Sequence, residues 1–170
     1  MRSVLIRKAE LSDARALADL AYRSWESGIL PLLTEHPGMR EGEQHRLRRA
    51  VAETLSRIVV AEQGGTPVGW CSRSAKRAYI PFLFVAPESQ GQGIGSMLLR
   101  RMESILELAG ASRVHLETPA DHTRAVRFYE RQGYRILAMR PDGRGVHEPF
   151  MRVHLGKKLH PFTGDLGDED

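Results

Sequence analysis

The stretch YIPFLFVAPESQGQGIGS, residues 79–96, runs from an apolar segment into a glycine-rich turn just before an amphipathic pattern begins. Its first seven residues have the composition of a buried strand. In the turn, Gly91, Gly93 and Gly95 occupy alternate positions. Glycine there lets main-chain N–H groups and the positive end of a helix dipole face a phosphate, which side chains would keep away. The stretch therefore predicts a strand, a phosphate-binding turn and a helix, although the glycines alone also fit a flexible connection.

Outward from this stretch, apolar periodicity predicts further strands and helices. The segments predicted before it are a strand at 4–6, a helix opening at 12–13, an apolar loop at 28–38, a helix at 40–56 and a hairpin of 58–61 with 68–72. The segments predicted after it are a helix from 94 to about 110, a strand at 113–118, a helix at 121–132 and a hairpin of 134–139 with 146–155. The order strand, helix, strand around the turn implies parallel pairing of 79–85 with 113–118.

The length of 170 residues suits one domain, which we assign to residues 1–156. The remaining segment, 157–170, is polar and acidic, and we expect a disordered tail there. Within 1–156, 23 Lys and Arg side chains stand against 17 Asp and Glu. This moderate excess suits an anionic small molecule, whereas a nucleic-acid surface would need clustered basic residues with interleaved aromatics.

Cysteine content and hydropathy place limits on the compartment. The single cysteine, Cys71, excludes an internal disulfide and a CxxC metal site, as is typical of a reducing environment. A small buried residue is the simplest interpretation of Cys71. No apolar run approaches the length of a membrane span. We therefore expect a cytoplasmic protein with no membrane or nucleic-acid partner.

Further features lie at fixed distances from the glycine turn. They are the sequence VAP at 85–87, Glu117 at the end of the next strand, and AVRFYERQGY at 125–134. Together with Gln90, Gly93 and Gly95, which match a Q/R-x-x-G-x-G/A motif, this set resembles the GCN5-related N-acetyltransferase (GNAT) superfamily. The resemblance extends over residues 3–155.

The resemblance implies an α/β (α+β) fold with a mixed, mostly antiparallel sheet of six to seven strands, flanked by about four helices. The sheet would be splayed where its two central parallel strands part, and acetyl-CoA, the co-substrate, would enter the gap. Main-chain groups there would pair with pantetheine, and the glycine turn would hold the pyrophosphate. The residues implied to bind acetyl-CoA are Phe84, Val85, Gln90, Gly91, Gln92, Gly93, Ile94, Gly95, Ser96, His122 and Arg124.

Two titratable residues are the candidates for catalysis of direct acetyl transfer to a primary amine. Glu117 is the candidate base, because members of the family that acetylate protein N-termini have a glutamate at this position. Tyr129 matches the tyrosine that acts as the family's general acid and would protonate the leaving thiolate. A solvent-facing carboxylate and a packing tyrosine remain the alternatives. Glu88 and Glu148 are lesser candidates for the base.

Two positions depart from the family pattern. His122 stands where asparagine is frequent, and Gln92 stands where arginine or lysine is frequent, so less side-chain charge would meet the phosphates. Arg124 or Arg127 could supply some of that charge. The seven histidines lack metal-ligand spacing, and no metal is expected.

The acceptor is not identified by the sequence. Its predicted walls are the end of the first helix with the following loop, including Trp25, Glu26 and Ile29, and the last hairpin at 142–148. Core packing explains Trp25 equally well. A metabolite, an antibiotic and a protein N-terminus all remain open, and a homodimer is implied only by the resemblance.

Two other classes of function compete with the enzyme. One is a catalytically silent acyl-CoA-binding sensor or interaction module, against which the pair Glu117 and Tyr129 argues. The other is a dinucleotide-binding protein, because a strand, glycines, a helix and a terminal acidic residue occur in the right order. That motif requires glycine where Ser96 stands and a tight turn directly after the strand.

Overall fold

The computed structural model of the chain describes residues 2–141 and 151–162. Its strands are β1 (Val4–Lys8), β2 (Ile58–Gln63), β3 (Thr66–Ser72), β4 (Phe82–Val85), β5 (Arg113–Pro119), β6 (Arg135–Pro141) and β7 (Met151–Lys158). Its α-helices are α1 (Ala14–Gly28), α2 (Met39–Thr54), α3 (Ile94–Leu108) and α4 (Thr123–Arg131). None of the helices in these ranges is long and apolar enough to cross a membrane. The predicted fold class, with about four helices, is confirmed.

The strands form two antiparallel sheets that meet at a parallel bridge. The N-terminal sheet has the order β1-β2-β3-β4 and the C-terminal sheet the order β5-β7-β6. Tyr79 forms the parallel bridge with His115, and the Ile80 N–H donates to the His115 carbonyl over 3.0 Å. Beyond the bridge β4 pairs with β3 and β5 pairs with β7, so the two central strands diverge. This divergence is the implied splay.

The strand predicted over 79–85 is shorter than expected. Its ladder with β3 begins at Phe82. Pro81 has no N–H to donate, so the ladder starts after it, and the residues before it turn toward β5 instead.

Two hydrophobic clusters cover the sheets unequally. One lies between α3 and both sheets, with Leu98, Leu116 and Leu155 almost fully buried. The other lies between α1, α2 and the opposite face of the N-terminal sheet, around Trp70. Gly69 allows α3 to approach, because a Cβ there would lie 3.0 Å from Leu98 Cδ1 and 2.9 Å from the Phe84 carbonyl oxygen.

The C-terminal sheet has one covered face and one open face. Along β5, Val114, Leu116 and Thr118 are buried, so the alternating residues His115 and Glu117 lie on the other side. We call that side, which also carries His154 opposite Glu117, the open face. β6 is an edge strand on which most residues are exposed.

The boundary predicted for the tail is wrong. β7 continues to Lys158, Leu159 is buried, and the Leu159 N–H donates to the Ser112 carbonyl over 2.9 Å. Lys157 also bonds both carboxylate oxygens of buried Glu103 on α3, at 2.7 and 3.0 Å. The polar composition predicts a disordered tail, but the charge of Lys157 is neutralised by Glu103, a partner distant in sequence. Residues 163–170 lie outside the described ranges.

Candidate active site

The glycine turn leads directly into α3. Gly91 and Gly93 have φ angles of +74° and +81°, in the left-handed region that side chains disfavour. The first-turn N–H groups of Ile94, Gly95 and Ser96 have no intrahelical acceptor, and they face the cleft side at the positive end of the helix. The turn thus has the features of an anion-binding site.

The three glycines do not share one role. A Cβ at Gly91 or Gly93 would meet open space, whereas a Cβ at Gly95 would lie 3.3 Å from Phe128 Cζ. Gly95 therefore serves the close approach of α4 to α3. The Gln132 amide reinforces this contact by donating to Ser96 Oγ over 2.9 Å.

A cleft between α3, α4 and β4 brings most of the predicted binding residues together. The predicted residues that line it are Val85, Gln90, Gly91, Gly93, Ile94, Gly95, Ser96, His122, Arg124 and Tyr129. The residues that the sequence analysis missed are Ser24, Leu83, Ser89, Ala125, Phe128, Arg131 and Gln132. A signal for some of them was present, since Gln132 and Phe128 belong to the motif that includes Tyr129. Phe84, Gln92 and Glu117 do not line this cleft.

Main-chain pairing explains why Phe84 does not line the cleft. Bonded and non-bonded residue pairs alternate along an antiparallel ladder. The Ala86 N–H donates to the Val68 carbonyl, so the same alternation assigns Phe84 to a bonded pair with Trp70. The prediction of free main-chain groups at Phe84 is therefore wrong. Leu83 and Val85 face the gap instead, and the Val85 carbonyl accepts from the Gln90 side chain over 3.1 Å.

Tyr129 lies at the inner end of the cleft. Its ring contacts Phe128 and Tyr134, with centroid distances of 5.1 and 5.7 Å. Burial raises the pKa of the Tyr129 hydroxyl above its ordinary value, and the nearby Cys71 and Tyr79 raise it further. The hydroxyl is therefore protonated at neutral pH.

Glu117 lies on β5, on the opposite side of the sheet from α3. Its side chain is half-buried and belongs to the open face. The cleft lies on the α3 side, and β4 and β5 diverge between it and Glu117. Tyr129 thus lies on the cleft side of the sheet and Glu117 on the open face.

The lesser candidates for the base are placed differently. Glu88 is exposed and accepts two hydrogen bonds from Arg23, both of 2.9 Å. A main-chain hydrogen bond and then Arg23 lower the pKa of Glu88, which makes it a weaker base. Glu148 lies outside the described residues. Cys71 is fully buried, as predicted, and burial raises the pKa of its thiol.

His122 lines the cleft and also caps the N-terminus of α4. Its Nδ1 accepts from the Ala125 N–H over 3.1 Å. On the other side, a Cβ at Gly28 would lie 3.1 Å from His122 Nε2, so the imidazole fills the space between α4 and the end of α1. Burial lowers the pKa of His122, which favours the neutral ring that the cap requires. Arg124 is exposed at the cleft.

Some of the residues that were predicted to form the acceptor walls stabilise the fold instead. Trp25 is 6% exposed and belongs to the core. Glu26 accepts from the Tyr22 hydroxyl over 3.2 Å and pairs with Arg40, which ties the end of α1 to the start of α2. Ile29 is half-buried at the end of α1. The other predicted wall, 142–148, lies outside the described residues.

Over the ranges that the structure describes, no group of three or more His, Cys, Asp or Glu side chains is arranged to hold a metal ion.

Comparison with known proteins agrees with this architecture. A family model described as the acetyltransferase (GNAT) family matches residues 16–134. The chain therefore belongs to this family, and the prediction of an N-acyltransferase enzyme is confirmed. The dinucleotide-binding and silent-sensor alternatives are not favoured.

Two curated relatives and one solved structure are similar to the chain. N-alpha-acetyltransferase RimI of Mycobacterium tuberculosis is 33% identical over 126 residues, which are 71% of this chain and 73% of that protein. N-alpha-acetyltransferase 30 of Schizosaccharomyces pombe is 38% identical over 58 residues, which are 34% of this chain and 39% of that protein. The PaiA N-acetyltransferase of Thermoplasma acidophilum, solved in complex with coenzyme A, aligns with a TM-score of 0.72 at 22% identity, over 92% of this chain and 99% of that one. This last likeness shows the fold.

Proposed function

We propose that this protein transfers an acetyl group from acetyl-CoA directly to the α-amino group of a polypeptide. The observation that carries the proposal is the divergence of β4 and β5, with the glycine turn on the α3 side of the sheet and the Glu117 carboxylate on the open face. The names of the two curated relatives support an α-amino acceptor.

The residues of the cleft fit acetyl-CoA. The N–H groups after Gly93 would hold the pyrophosphate, and Arg124 and Arg131, which line the cleft, would add positive charge. The outward-facing main chain of Leu83 and Val85 would pair with the pantetheine amides as an added strand would. When bound, acetyl-CoA supplies the thioester whose acyl group is transferred.

Proton removal from the acceptor is a modest requirement for an α-amino group. With an ordinary pKa near 8, forming the neutral amine at pH 7 costs about 1.4 kcal/mol, against roughly 4.6 kcal/mol for a lysine side chain. Glu117 on the open face would accept this proton, directly or through a water. A single carboxylate is therefore adequate for an α-amino acceptor.

Tyr129 would supply the proton that the departing thiolate needs. Within the described residues it is the tyrosine that lines the cleft, and its hydroxyl is protonated at neutral pH. The ring contacts with Phe128 and Tyr134 fix its orientation. The roles of Glu117 and Tyr129, the cytoplasmic location and a homodimer all stay predictions.

The proposal is tested by thiol release from acetyl-CoA with paired peptides. One set carries a free N-terminus and no lysine, and the matched set carries a blocked N-terminus and one lysine. We expect release at least tenfold faster with the first set. Equal rates, or a preference for the blocked set, would contradict an α-amino acceptor. Binding of coenzyme A without acetylation of any amine would support the silent-sensor alternative.

A further inference from the structure

Two histidines lie beside Glu117 on the open face and have no part in the mechanism above. In the register of β5 and β7, His154 is directly opposite Glu117, and His115 precedes Glu117 by two residues. Directly opposite residues have Cβ atoms about 4.5–5.5 Å apart, so all three side chains share one small patch. The two imidazole rings are in contact, with centroids 5.2 Å apart.

The sequence makes room for this contact at Gly156. Gly156 is the residue opposite His115, and a Cβ there would lie 3.2 Å from His115 Nδ1 and 2.7 Å from Leu137 Cδ1. Any larger residue would therefore force the imidazole or Leu137 to move. The missing side chain lets the His115 ring lie over β7, against His154.

Both rings keep a buried nitrogen without a partner. The Nδ1 atoms of His115 and His154 are inaccessible to solvent, and within the described residues neither forms a hydrogen bond. Buried polar atoms are normally satisfied, so an exception calls for an explanation such as a catalytic role or a bound water. A neutral imidazole offers one acceptor nitrogen, which suits a group that waits to receive a proton.

The surroundings of His115 favour its neutral ring at physiological pH. Burial lowers the pKa of His115, and His154 and Arg113 lower it further. By strand alternation, Arg113 on β5 and Arg152 on β7 belong to the same face, and Tyr79 bridges His115 through its main chain. Glu117 is the acidic group of this patch.

We propose that His154, held in place by His115, is a positioning residue that receives the acceptor's proton from Glu117. In the first transfer, an N–H bond of the ammonium group breaks and an O–H bond forms on Glu117, which leaves the neutral amine. In the second, that O–H bond breaks and, by transfer through an intervening water, an N–H bond forms on a ring nitrogen of His154. The imidazolium then releases the proton to water, and Glu117 is restored as the carboxylate. This role rests on the proposed function.

The test is the pH profile of acetyl transfer for the wild type and His154→Gln. An imidazole must be neutral to accept a proton, so wild-type kcat should fall in acid, where an imidazole is protonated. We expect His154→Gln to lower kcat about fivefold at pH 7, to change the KM for acetyl-CoA less than twofold, and to remove this acid limb. In a Glu117→Gln background the same substitution should have no further effect. The matched control is His45→Gln, an exposed histidine on α2.

Two further measurements distinguish loss of this role from misfolding of the variant and from failure of the proposed function. Gly156→Ala leaves both histidines in place but crowds the His115 ring, and its acid limb should differ from that of the wild type. A proton NMR titration needs no activity, and in His154→Gln the pKa of His115 should rise. Two results would overturn this role alone, provided that the wild type transfers the acetyl group. One is a pH profile of kcat for His154→Gln that is identical to that of the wild type. The other is a pKa of His115 that does not change in His154→Gln. Failure of the wild type to acetylate any peptide would instead overturn the proposed function, and this role with it.

Discussion

The two sheets use the same antiparallel pairing but are covered differently. The N-terminal sheet is enclosed by α3 on one face and by α1 and α2 on the other, whereas the C-terminal sheet is covered by α3 and α4 on one face only. Titratable side chains, His115, Glu117 and His154, occupy the face that no helix of the described residues covers. Both sheets contribute a buried apolar face to the core, but the half-covered sheet also has a face that can present polar groups to a substrate.

The largest expected effect concerns the ion pair that ties the C-terminal sheet to α3. Lys157→Met leaves the Glu103 carboxylate, which is 5% exposed, without its cation. Removing one partner of a buried pair costs about 3 kcal/mol of unfolding free energy. Urea denaturation measures this loss.

The pH dependence of that loss has a definite sign. Burial already raises the pKa of Glu103, and Lys157 opposes the rise. Without Lys157 the folded-state pKa rises further, so the destabilisation is full above that pKa and disappears in acid, where the carboxyl is protonated both folded and unfolded. Glu103→Gln combined with Lys157→Met should restore part of the stability. A loss that is the same at pH 4 and pH 8 would contradict this account.

The next effect separates the cleft from the open face. Tyr129→Phe should lower kcat about 100-fold, because it removes the hydroxyl that donates the proton and leaves the ring contacts with Phe128 and Tyr134. The affinity for acetyl-CoA, measured by calorimetry, should change less than twofold. Turnover equal to that of the wild type would remove Tyr129 from the acid role.

A smaller effect is expected in the enclosed sheet. Trp70 is fully buried, and its indole N–H donates to the Leu17 carbonyl of α1 over 2.9 Å. Trp70→Phe removes this bond and leaves a small cavity, at a cost of about 2 kcal/mol in unfolding free energy. Met139→Ala on β6, where the side chain is 56% exposed, is the matched control and should change stability by less than about 0.5 kcal/mol. Equal losses of unfolding free energy in Trp70→Phe and Met139→Ala would contradict the difference in burial between these two positions.

The smallest effect tests the open face itself. Glu117→Gln should lower kcat/KM for a peptide about tenfold at pH 7, where an α-amino group is mostly protonated, since about 1.4 kcal/mol is needed to deprotonate it. The deficit should shrink toward pH 9, because the free amine then predominates. A constant ratio to wild type from pH 6.5 to 9 would argue against Glu117 as the base.

The sequence predicted the cleft better than its surroundings. Gly91 and Gly93 were assigned to an anion-binding turn because their requirements are local, and the structure gives both a positive φ. Gly95 matched the same motif, but it faces Phe128, 33 residues later in the chain, and its role is packing. The motif therefore predicted a glycine at position 95 but not that its role is packing.

Errors arose where the role of a residue depends on a distant neighbour. Phe84 is paired because of the register between β3 and β4, and Trp25 is a core residue because α1 packs on the sheet. The local composition predicts that Lys157 belongs to a solvated tail, but Lys157 forms an ion pair with Glu103 on α3. No local pattern carries this information.

By itself, the sequence determined the order of strands and helices, the glycine turn before α3 and the family motif that contains Tyr129. These features depend on hydrophobic periodicity and on backbone freedom, which act over a few residues. Only the tertiary structure decided which face of β5 remained open, and it alone placed His154 opposite Glu117 and His115 against His154. That arrangement follows from strand register and helix coverage, which depend on the packing of the whole chain.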